Sequence, residues 1–187
     1  MNRKILKTLG FRKNWIYEVI ATTTDGKQKN AAPIGIWTKN FSDVEMEIYK
    51  NSKTYKNILL TNELVVNFFD DIKIFYRAIY EKNKLKYKKA RKVCAPVLRE
   101  AKSWLELKIK MKKEINGKTK FISDIVSYNI NEKKLKLFNR AEALTLESLI
   151  KATKIPFRGE DINENLRIIK KVAPNSKYGR IVEKILR

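Results

Sequence analysis

The chain has 187 residues, enough for one domain with a small extension, and 43% of them are hydrophobic, which excludes an intrinsically disordered protein. Lys and Arg number 42 against 20 Asp and Glu, and the resulting formal charge of +22 is compatible with a polyanionic partner. Histidine is absent and Cys94 is the single cysteine, so the sequence excludes Ser-His-Asp and Cys-His catalysis, histidine-ligated metal sites and an intrachain disulfide.

The first two predicted elements form a hairpin. From Trp15 to Thr24 the residues are aromatic or β-branched, and both alternating faces are apolar, as in a strand buried on both sides. Asp25-Gly26 marks a turn, and Asn30 to Thr38 predicts the returning strand. Pro33 lies near the start of that strand, where a missing amide hydrogen suits an edge or a bulge beside a ligand.

A third strand is predicted over Asp43 to Tyr49, where apolar residues alternate with Glu45 and Glu47. Alternation at period two gives one core face and one solvent face, so we expect both glutamates to face water. A polar loop then leads into a short helix that continues to Leu60.

The polar loop carries a possible phosphate site. Ser52-Lys53-Thr54 brings two hydroxyls, an ammonium group and the amides of a helix N-terminus together after a strand. These groups suit a phosphate monoester. Ser and Thr also cap helices in many proteins, so ordinary capping is the alternative interpretation of the same residues.

Another strand is predicted over Leu64 to Phe69, and a helix over Ile72 to Tyr80 follows it. Asp70 and Asp71 are suitable N-cap residues for this helix. Helical spacing places four apolar side chains on one face, which we expect to be the buried face. They are Ile72, Phe75, Tyr76 and Ile79.

A basic segment comes next, with six cationic residues from Lys84 to Lys92 around Tyr87. Such a cluster can follow a nucleic-acid backbone, with the aromatic ring available for stacking. Lysine is also spread through almost every other segment, so a compositional bias that places Lys on all solvent faces is the alternative explanation of the charge.

The clearest hairpin signal lies further along the chain. Apolar residues from Leu105 to Met111 alternate with charged residues that include Glu106. Asn116-Gly117 marks the turn, and Phe121 to Ile130 predicts the returning strand.

After Asn131 the hydrophobic period lengthens toward that of a helix, and three short helices are predicted. Asn139 with Glu142 resembles a capping box, and Ser176 is a suitable N-cap for the last helix. We therefore predict a barrel domain of residues 1–135 and a helical extension of residues 136–187.

Other features of the sequence limit the chemistry and the compartment. Neither a Gly-x-x-x-x-Gly-Lys phosphate loop nor a Gly-x-Gly-x-x-Gly turn occurs, so a P-loop ATPase or a Rossmann domain is not supported. We assign no metal site. Apolar runs are too short to cross a bilayer, and the basic start lacks the features of a secretory signal, so we expect a cytoplasmic protein.

Several segments together resemble a known family. Residues 30–35 read Asn-Ala-Ala-Pro-Ile-Gly, residues 49–57 read Tyr-Lys-Asn-Ser-Lys-Thr-Tyr-Lys-Asn, and residues 65–67 read Val-Val-Asn. In this order and spacing they resemble an uncharacterised archaeal family of the FMN-binding split-barrel, flavin-reductase-like superfamily. Residues 139–142 and 147–153 resemble the helical tail of the same family, so the likeness covers nearly the whole chain.

The resemblance implies a mainly β fold with α, namely an FMN-binding split β-barrel followed by a small C-terminal helical domain. It implies a homodimer with one FMN per subunit at or near the dimer interface. The strand from Ala31 to Gly35 would lie along the isoalloxazine ring, and Ser52, Lys53 and Thr54 would receive the phosphate. The implied cofactor-binding residues are Asn30, Ala31, Ala32, Pro33, Ile34, Lys50, Ser52, Lys53, Thr54, Asn57 and Asn67.

The roles of individual residues in this set have alternatives. Asn57 and Asn67 could orient the phosphate loop or the ribityl chain, and each could equally satisfy backbone groups at a turn or strand end. Lys50 or Lys53 could stabilise negative charge on a reduced flavin, and each could be an ordinary surface lysine. The sequence assigns no catalytic residue.

The resemblance implies an FMN-binding flavoprotein and leaves open an oxidoreductase that takes electrons from a reduced nicotinamide or another small donor. Two alternatives remain from the sequence. One is a basic nucleic-acid-binding β-barrel without flavin, and the other is a structural dimer that retains the barrel without the cofactor.

Overall fold

The structure is a computed structural model that describes residues 2–131, 135–153 and 159–186. The chain divides into two compact units, of which the first comprises Met1–Lys13 and Glu18–Phe138. The second comprises Asn14–Tyr17 and Asn139–Arg187. The expected division into domains of residues 1–135 and 136–187 remains a proposal about segments that could fold separately.

Eight strands occur in the described residues, and six of them close into an antiparallel barrel in the order β1-β2-β3-β8-β7-β4. The remaining two, β5 and β6, pair as a small separate sheet. The strands are β1 Tyr17–Thr24, β2 Lys29–Trp37, β3 Val44–Tyr49, β4 Glu63–Phe68, β5 Tyr87–Lys88, β6 Val97–Leu98, β7 Ser103–Ile115 and β8 Lys118–Ile130.

Six α-helices occur in the same residues, and none of them is long and apolar enough to cross a membrane. Five lie where the sequence predicts helices. The sixth, α1, was not predicted, because its seven residues read as a basic start of the chain. The helices are α1 Asn2–Thr8, α2 Lys53–Thr61, α3 Ile72–Tyr80, α4 Arg140–Ala152, α5 Gly159–Val172 and α6 Lys177–Ile185.

The predicted alternation and turns are confirmed at the centre of the barrel. Val44, Met46 and Ile48 of β3 are buried, and Met46 lies opposite buried Phe121 of β8. Strands β7 and β8 form the long predicted hairpin, which turns at Gly117 with a φ of 68°. Glycine suits this left-handed backbone conformation because it has no side chain.

A second hydrophobic cluster joins α3 and a long irregular segment to strands β1, β2, β4 and β7. We refer to residues 85–101, which include β5 and β6, as the flap. Apolar side chains of the flap, among them Val97 and Leu98, are fully buried in this cluster. The flap is therefore a packed part of the first unit, although the sequence indicated only a basic linker.

Polar side chains of the barrel strands hold the backbone of the flap. Glu106 accepts hydrogen bonds from the amides of Arg91 at 2.9 Å and Lys92 at 2.6 Å. Glu63 accepts from the amide of Cys94 at 2.6 Å. A carboxylate that accepts several amide hydrogens is well stabilised away from water, so these contacts fix the turn of the flap.

The expected exposure of Glu45 is wrong, and Glu106, a charged position of the alternation in β7, is buried as well. Glu106 is 0% exposed, because the flap covers it. Glu45 is 5% exposed, because it accepts a hydrogen bond from Trp37 Nε1 and forms an ion pair with Lys120. The alternation correctly placed the two glutamates on the face opposite the apolar residues of their strands, but other parts of the chain cover that face.

The expected buried face of α3 is also wrong in part. Phe75 is buried, where it meets the ring of Phe138 edge-on at 5.3 Å. The other buried residues of the helix are Ile74 and Ala78, and these belong to the same cluster as Ala31 of β2. The helix is therefore rotated from the expected orientation, and it exposes Ile72, Tyr76, Ile79 and Tyr80.

The second unit is built on a small core of its own. Buried Ala141, Ile162, Ile169 and Val182 come from α4, α5 and α6. Asn139 is the N-cap of α4, and its side-chain amide also donates to the carbonyls of two other segments of this unit, which are those of Ile16 and Val172.

We predict that Glu106→Ala releases the flap. The substitution leaves the amides of Arg91 and Lys92 without their acceptor and removes a fully buried side chain, so the free energy of unfolding should fall by about 2–4 kcal/mol. Trypsin should then cut faster at the many basic residues between Lys86 and Arg99. Urea denaturation and timed trypsin digestion measure the two effects.

Glu114→Ala is the matched control, because Glu114 lies at the exposed end of the same strand. It should leave both measurements close to those of the unsubstituted protein. Equal trypsin resistance in Glu106→Ala and Glu114→Ala would contradict the anchoring role of Glu106.

Candidate cofactor site

The candidate site is built around the start of helix α2. Ser52 is the N-cap, with φ −79° and ψ 150°, and its hydroxyl accepts a hydrogen bond from the amide of Tyr55 at 3.1 Å. The same hydroxyl donates to the carbonyl of Tyr49 at 2.8 Å. The predicted capping is confirmed. In the first turn of a helix the backbone N–H groups point out of the N-terminus, where a ligand can accept from them.

A buried polar cluster fixes this first turn to the barrel. We refer to Thr23, Asn30, Thr54 and Asn57 as the polar cluster. The Asn30 amide nitrogen donates to Thr54 Oγ1 at 3.1 Å and to Thr23 Oγ1 at 3.4 Å, and the Asn57 amide nitrogen donates to Thr23 Oγ1 at 3.1 Å. All four side chains are at most 4% exposed. Three elements, β1, β2 and α2, therefore meet through satisfied polar groups.

Charged groups lie on the solvent side of the polar cluster. The Lys53 ammonium donates to the side-chain carbonyl of Gln28, which brings it to the start of β2. Asp25 lies in the β1–β2 turn, and hydrogen bonds from the amides of Gln28 and Lys27 hold the pKa of its carboxyl below the ordinary value. Lys53 contributes to this lowering, so Asp25 stays ionised near the lysine.

Strand β2 extends beyond its pairing with β3. In the described residues the two strands pair through Ile36 with Met46 and Trp37 with Glu45. The preceding residues Ala32 to Gly35 are half-buried, and Ala31 is fully buried against the α3 cluster. The segment from Ala31 to Gly35 lies outside that pairing and includes Ala31, Ala32 and Gly35, which have small or no side chains, so its backbone can approach a flat ligand at these positions.

The structure brings most of the expected site residues together. Asn30, Thr54 and Asn57 join in the polar cluster, Ser52 and Lys53 start α2, and the segment 31–34 continues from Asn30 along β2. These positions form one continuous region.

Lys50 and Asn67 make different contacts. Lys50 forms an ion pair with Glu114 of the β7–β8 hairpin. Asn67 donates to the carbonyl of Ile20 at 3.0 Å and accepts from the amide of Leu98 at 2.9 Å. Asn67 thus links β1, β4 and the flap, which favours its alternative role of satisfying backbone groups.

Two residues of this region had no signal in the sequence. Thr23 stands in a run of three threonines of the first strand, and nothing in that run distinguishes the shared hydrogen-bond acceptor. Lys82 lies in a 3₁₀ turn after α3, and its ammonium donates to Asn30 Oδ1 at 3.5 Å. Only the folded chain brings these residues to the site.

Comparison with known proteins gives a family and a fold. Residues 17–132 match the family model described as protein of unknown function (DUF447), N-terminal domain. A search of curated proteins gave no match.

Solved structures resemble the chain at low identity. An FMN-bound protein of the same family from Methanosarcina mazei is 24% identical, with a TM-score of 0.60 over 97% of this chain and 100% of that one. A split-barrel protein from Shewanella frigidimarina, described as a candidate flavin reductase, is 18% identical with a TM-score of 0.57 over 76% and 79% of the two chains. The flavin reductase HpaC, solved with NADP+, is 14% identical with a TM-score of 0.55 over 73% and 96%. These likenesses confirm the predicted split-barrel fold with its helical segment.

We predict that Thr23→Val destabilises the region without changing its shape, because it removes the hydroxyl that Asn30 and Asn57 share. At least the Asn57 amide is then buried without an acceptor, so the free energy of unfolding should fall by about 1–3 kcal/mol. Thr23→Ser keeps the hydroxyl and is the matched control. Equal stability of the Val and Ser variants in urea denaturation would show that the shared hydroxyl contributes nothing.

Proposed function

This chain belongs to the DUF447 family, and from that premise we propose that it is an FMN-binding flavoprotein of the flavin-reductase-like type. The observation that carries the proposal is the first turn of α2, where free helix amides and Lys53 lie beside strand β2 on a buried polar base. The FMN bound by the Methanosarcina mazei protein supports the choice of cofactor.

The donor set fits the phosphate of a mononucleotide. Helix α2 has nine residues, so its N-terminus offers unsatisfied amides and the positive end of a dipole. Lys53 adds a full positive charge at the same end. The hydroxyls of Ser52 and Thr54 already serve the cap and the polar cluster, so we assign the phosphate mainly to backbone amides and to the Lys53 ammonium.

The flavin ring fits the segment of β2 from Ala31 to Gly35. The small side chains of Ala31 and Ala32 and the absence of one at Gly35 allow a planar ring to approach the backbone. A strand that extends past its pairing with β3 can offer backbone N–H and C=O groups to the polar ring edge. Asn30 connects this segment to the first turn of α2, to which we assign the phosphate. The arrangement matches a ligand with a ring at one end and a phosphate at the other.

We further propose that the protein acts as an oxidoreductase with a reduced nicotinamide as donor, which the NADP+ complex of HpaC supports. Bound FMN would supply the redox chemistry. The chain's own residues would hold the phosphate, orient the ring along β2 and bring a cationic environment to it. The proposed compartment is the cytoplasm of an archaeal cell.

The flap gives little support to nucleic-acid binding through its basic segment. Lys88 lies over the ring of Trp104 at 4.0 Å, and Lys29 lies over the ring of Tyr87 at 5.4 Å. Burial, with a smaller contribution from Glu100, raises the pKa of Tyr87. A ring that is half-buried and covered by a lysine is a poor platform for base stacking.

We predict that the protein binds FMN and that Lys53→Ala weakens this binding about 5- to 20-fold, since a charge-assisted contact to the phosphate is lost. Riboflavin has the same ring and no phosphate, so its affinity should change less than about twofold by the same reasoning. Fluorescence titration of the apo-protein with each flavin gives the dissociation constants.

Lys56→Ala is the matched control, because Lys56 is an exposed lysine of the same helix that lies beyond the first turn. It should weaken FMN binding much less than Lys53→Ala. An equal loss of FMN and riboflavin affinity in Lys53→Ala would contradict the phosphate assignment.

We also propose a homodimer, in agreement with the resemblance. The exposed face of α3 supports it, because Tyr76, at 55% exposure, and Tyr80, at 72%, lie with ring centroids 5.1 Å apart on a helix whose buried face shares a cluster with β2. Exposed aromatic residues of this kind are common in interfaces.

Light scattering should therefore give twice the monomer mass for the unsubstituted protein. The double substitution of Tyr76 and Tyr80 by Glu should shift the mass toward the monomer, while Lys84→Glu, a surface change near the same helix, should not. A monomeric mass for the unsubstituted protein at micromolar concentration would exclude the homodimer.

A further inference from the structure

Lys82 reaches the candidate site from a different element than Lys53. It begins the 3₁₀ turn Lys82–Lys84 that follows α3, about 30 residues away from Lys53 in sequence. Its ammonium donates to Asn30 Oδ1 at 3.5 Å. The two lysines thus contact neighbouring residues of strand β2 and its turn, Asn30 and Gln28, from different elements.

The polar cluster determines how Asn30 receives Lys82. The amide nitrogen of Asn30 donates to the hydroxyls of Thr54 and Thr23, so its carbonyl oxygen is the atom left for a donor. Asn30 is 4% exposed, and its orientation is fixed by these buried partners. Lys82 is therefore held next to the residue that contacts Thr54 in the first turn of α2.

The positive charges of Lys53, Lys82 and the N-terminus of α2 favour the binding of an anion. Lys82 forms no ion pair with a carboxylate of the described residues, and Lys53 lies near the ionised Asp25 without an ion pair to it. The neighbouring Lys84 differs, since it pairs with Glu81 at 2.8 Å. The ammonium groups of Lys53 and Lys82 and the positive end of the α2 dipole each attract a dianionic phosphate, and its binding would reduce their mutual repulsion.

We propose that Lys82 is the second cation for the flavin phosphate and that it determines the preference for a phosphorylated flavin over riboflavin. This inference rests on the proposed function and deepens it. Asn30 is the positioning residue, because it holds the ammonium toward the first turn of α2 while its own amide nitrogen supports that turn.

A purely structural role of Lys82 makes a different prediction. If the contact of Lys82 with Asn30 only held the 3₁₀ turn in place, removing the lysine would lower the stability of the protein and reduce its affinity for all flavins equally. If its ammonium faced the isoalloxazine ring, removing it would change the reduction potential of the bound flavin. A contact with the phosphate affects neither of these and changes only the affinity for the phosphorylated ligand.

The test compares Lys82→Ala with Lys86→Ala, an exposed lysine of the flap in which the same charge is removed. FMN and riboflavin titrations at low and high salt are combined with thermal unfolding of each apo-protein and the reduction potential of bound FMN. We expect Lys82→Ala to weaken FMN binding about 5- to 20-fold, with riboflavin affinity unchanged within about twofold. The salt dependence of FMN affinity should also become shallower than in the unsubstituted protein and in Lys86→Ala.

The possible results separate the two proposals. If the unsubstituted protein binds neither flavin, the proposed function fails. If it binds FMN, then equal losses for FMN and riboflavin, an effect no larger than that of Lys86→Ala, or a shifted reduction potential with unchanged FMN affinity would each overturn the role of Lys82. Lys82→Arg keeps the charge and should restore most of the preference for FMN.

Discussion

The amides of Asn30 and Asn57 both donate to the one hydroxyl of Thr23, and the position of the candidate site depends on that shared acceptor. Through it, helix α2 is tied to both strands of the first hairpin, and Asn30 also donates to Thr54 in the first turn of the helix. The turn, Lys53 and the segment of β2 that follows Asn30 are then fixed relative to one another. Buried polar groups are costly unless they are satisfied, so a fully bonded cluster specifies one arrangement.

The same principle organises the flap. Asn67, Glu63 and Glu106 of the barrel strands accept hydrogen bonds from flap amides, and Asn67 and Glu106 are fully buried. Acidic side chains are thus directed at the backbone of a basic segment, while several lysines lie over aromatic rings. Much of the strong positive charge is therefore compatible with a compact barrel, because packing and internal contacts accommodate individual lysines.

The sequence predicted the elements well, since their signals are local. Alternation over Asp43 to Tyr49, the Asn116-Gly117 turn and the Ser52 cap all depend on neighbouring residues, and each is confirmed. The burial of Glu45 and Glu106 could not be predicted, because it depends on segments distant in the chain that cover the strands. The exposed face of α3 has the same cause, since the buried residues Ile74, Phe75 and Ala78 belong to a cluster that includes Ala31 of β2 and residues of the flap.

The residues of the candidate site also divide into those with a local signal in the sequence and those brought in by long-range contacts. Residues 52–54 and 30–34 were available as motifs, whereas Thr23 and Lys82 have ordinary surroundings in the sequence and become part of the site only through long-range contacts. Asn67 is the opposite case. It belongs to a motif in the sequence, but in the structure its side chain accepts a hydrogen bond from the flap amide of Leu98.

The most direct test of the central claim is the visible absorption spectrum of the purified protein, with heat release and mass identification of any chromophore and FMN titration of the apo-protein. Binding of FMN at the first turn of α2 predicts the two bands of oxidised flavin, release of FMN on heating, and stoichiometric uptake by the apo-protein. A colourless protein that takes up no FMN would contradict the account.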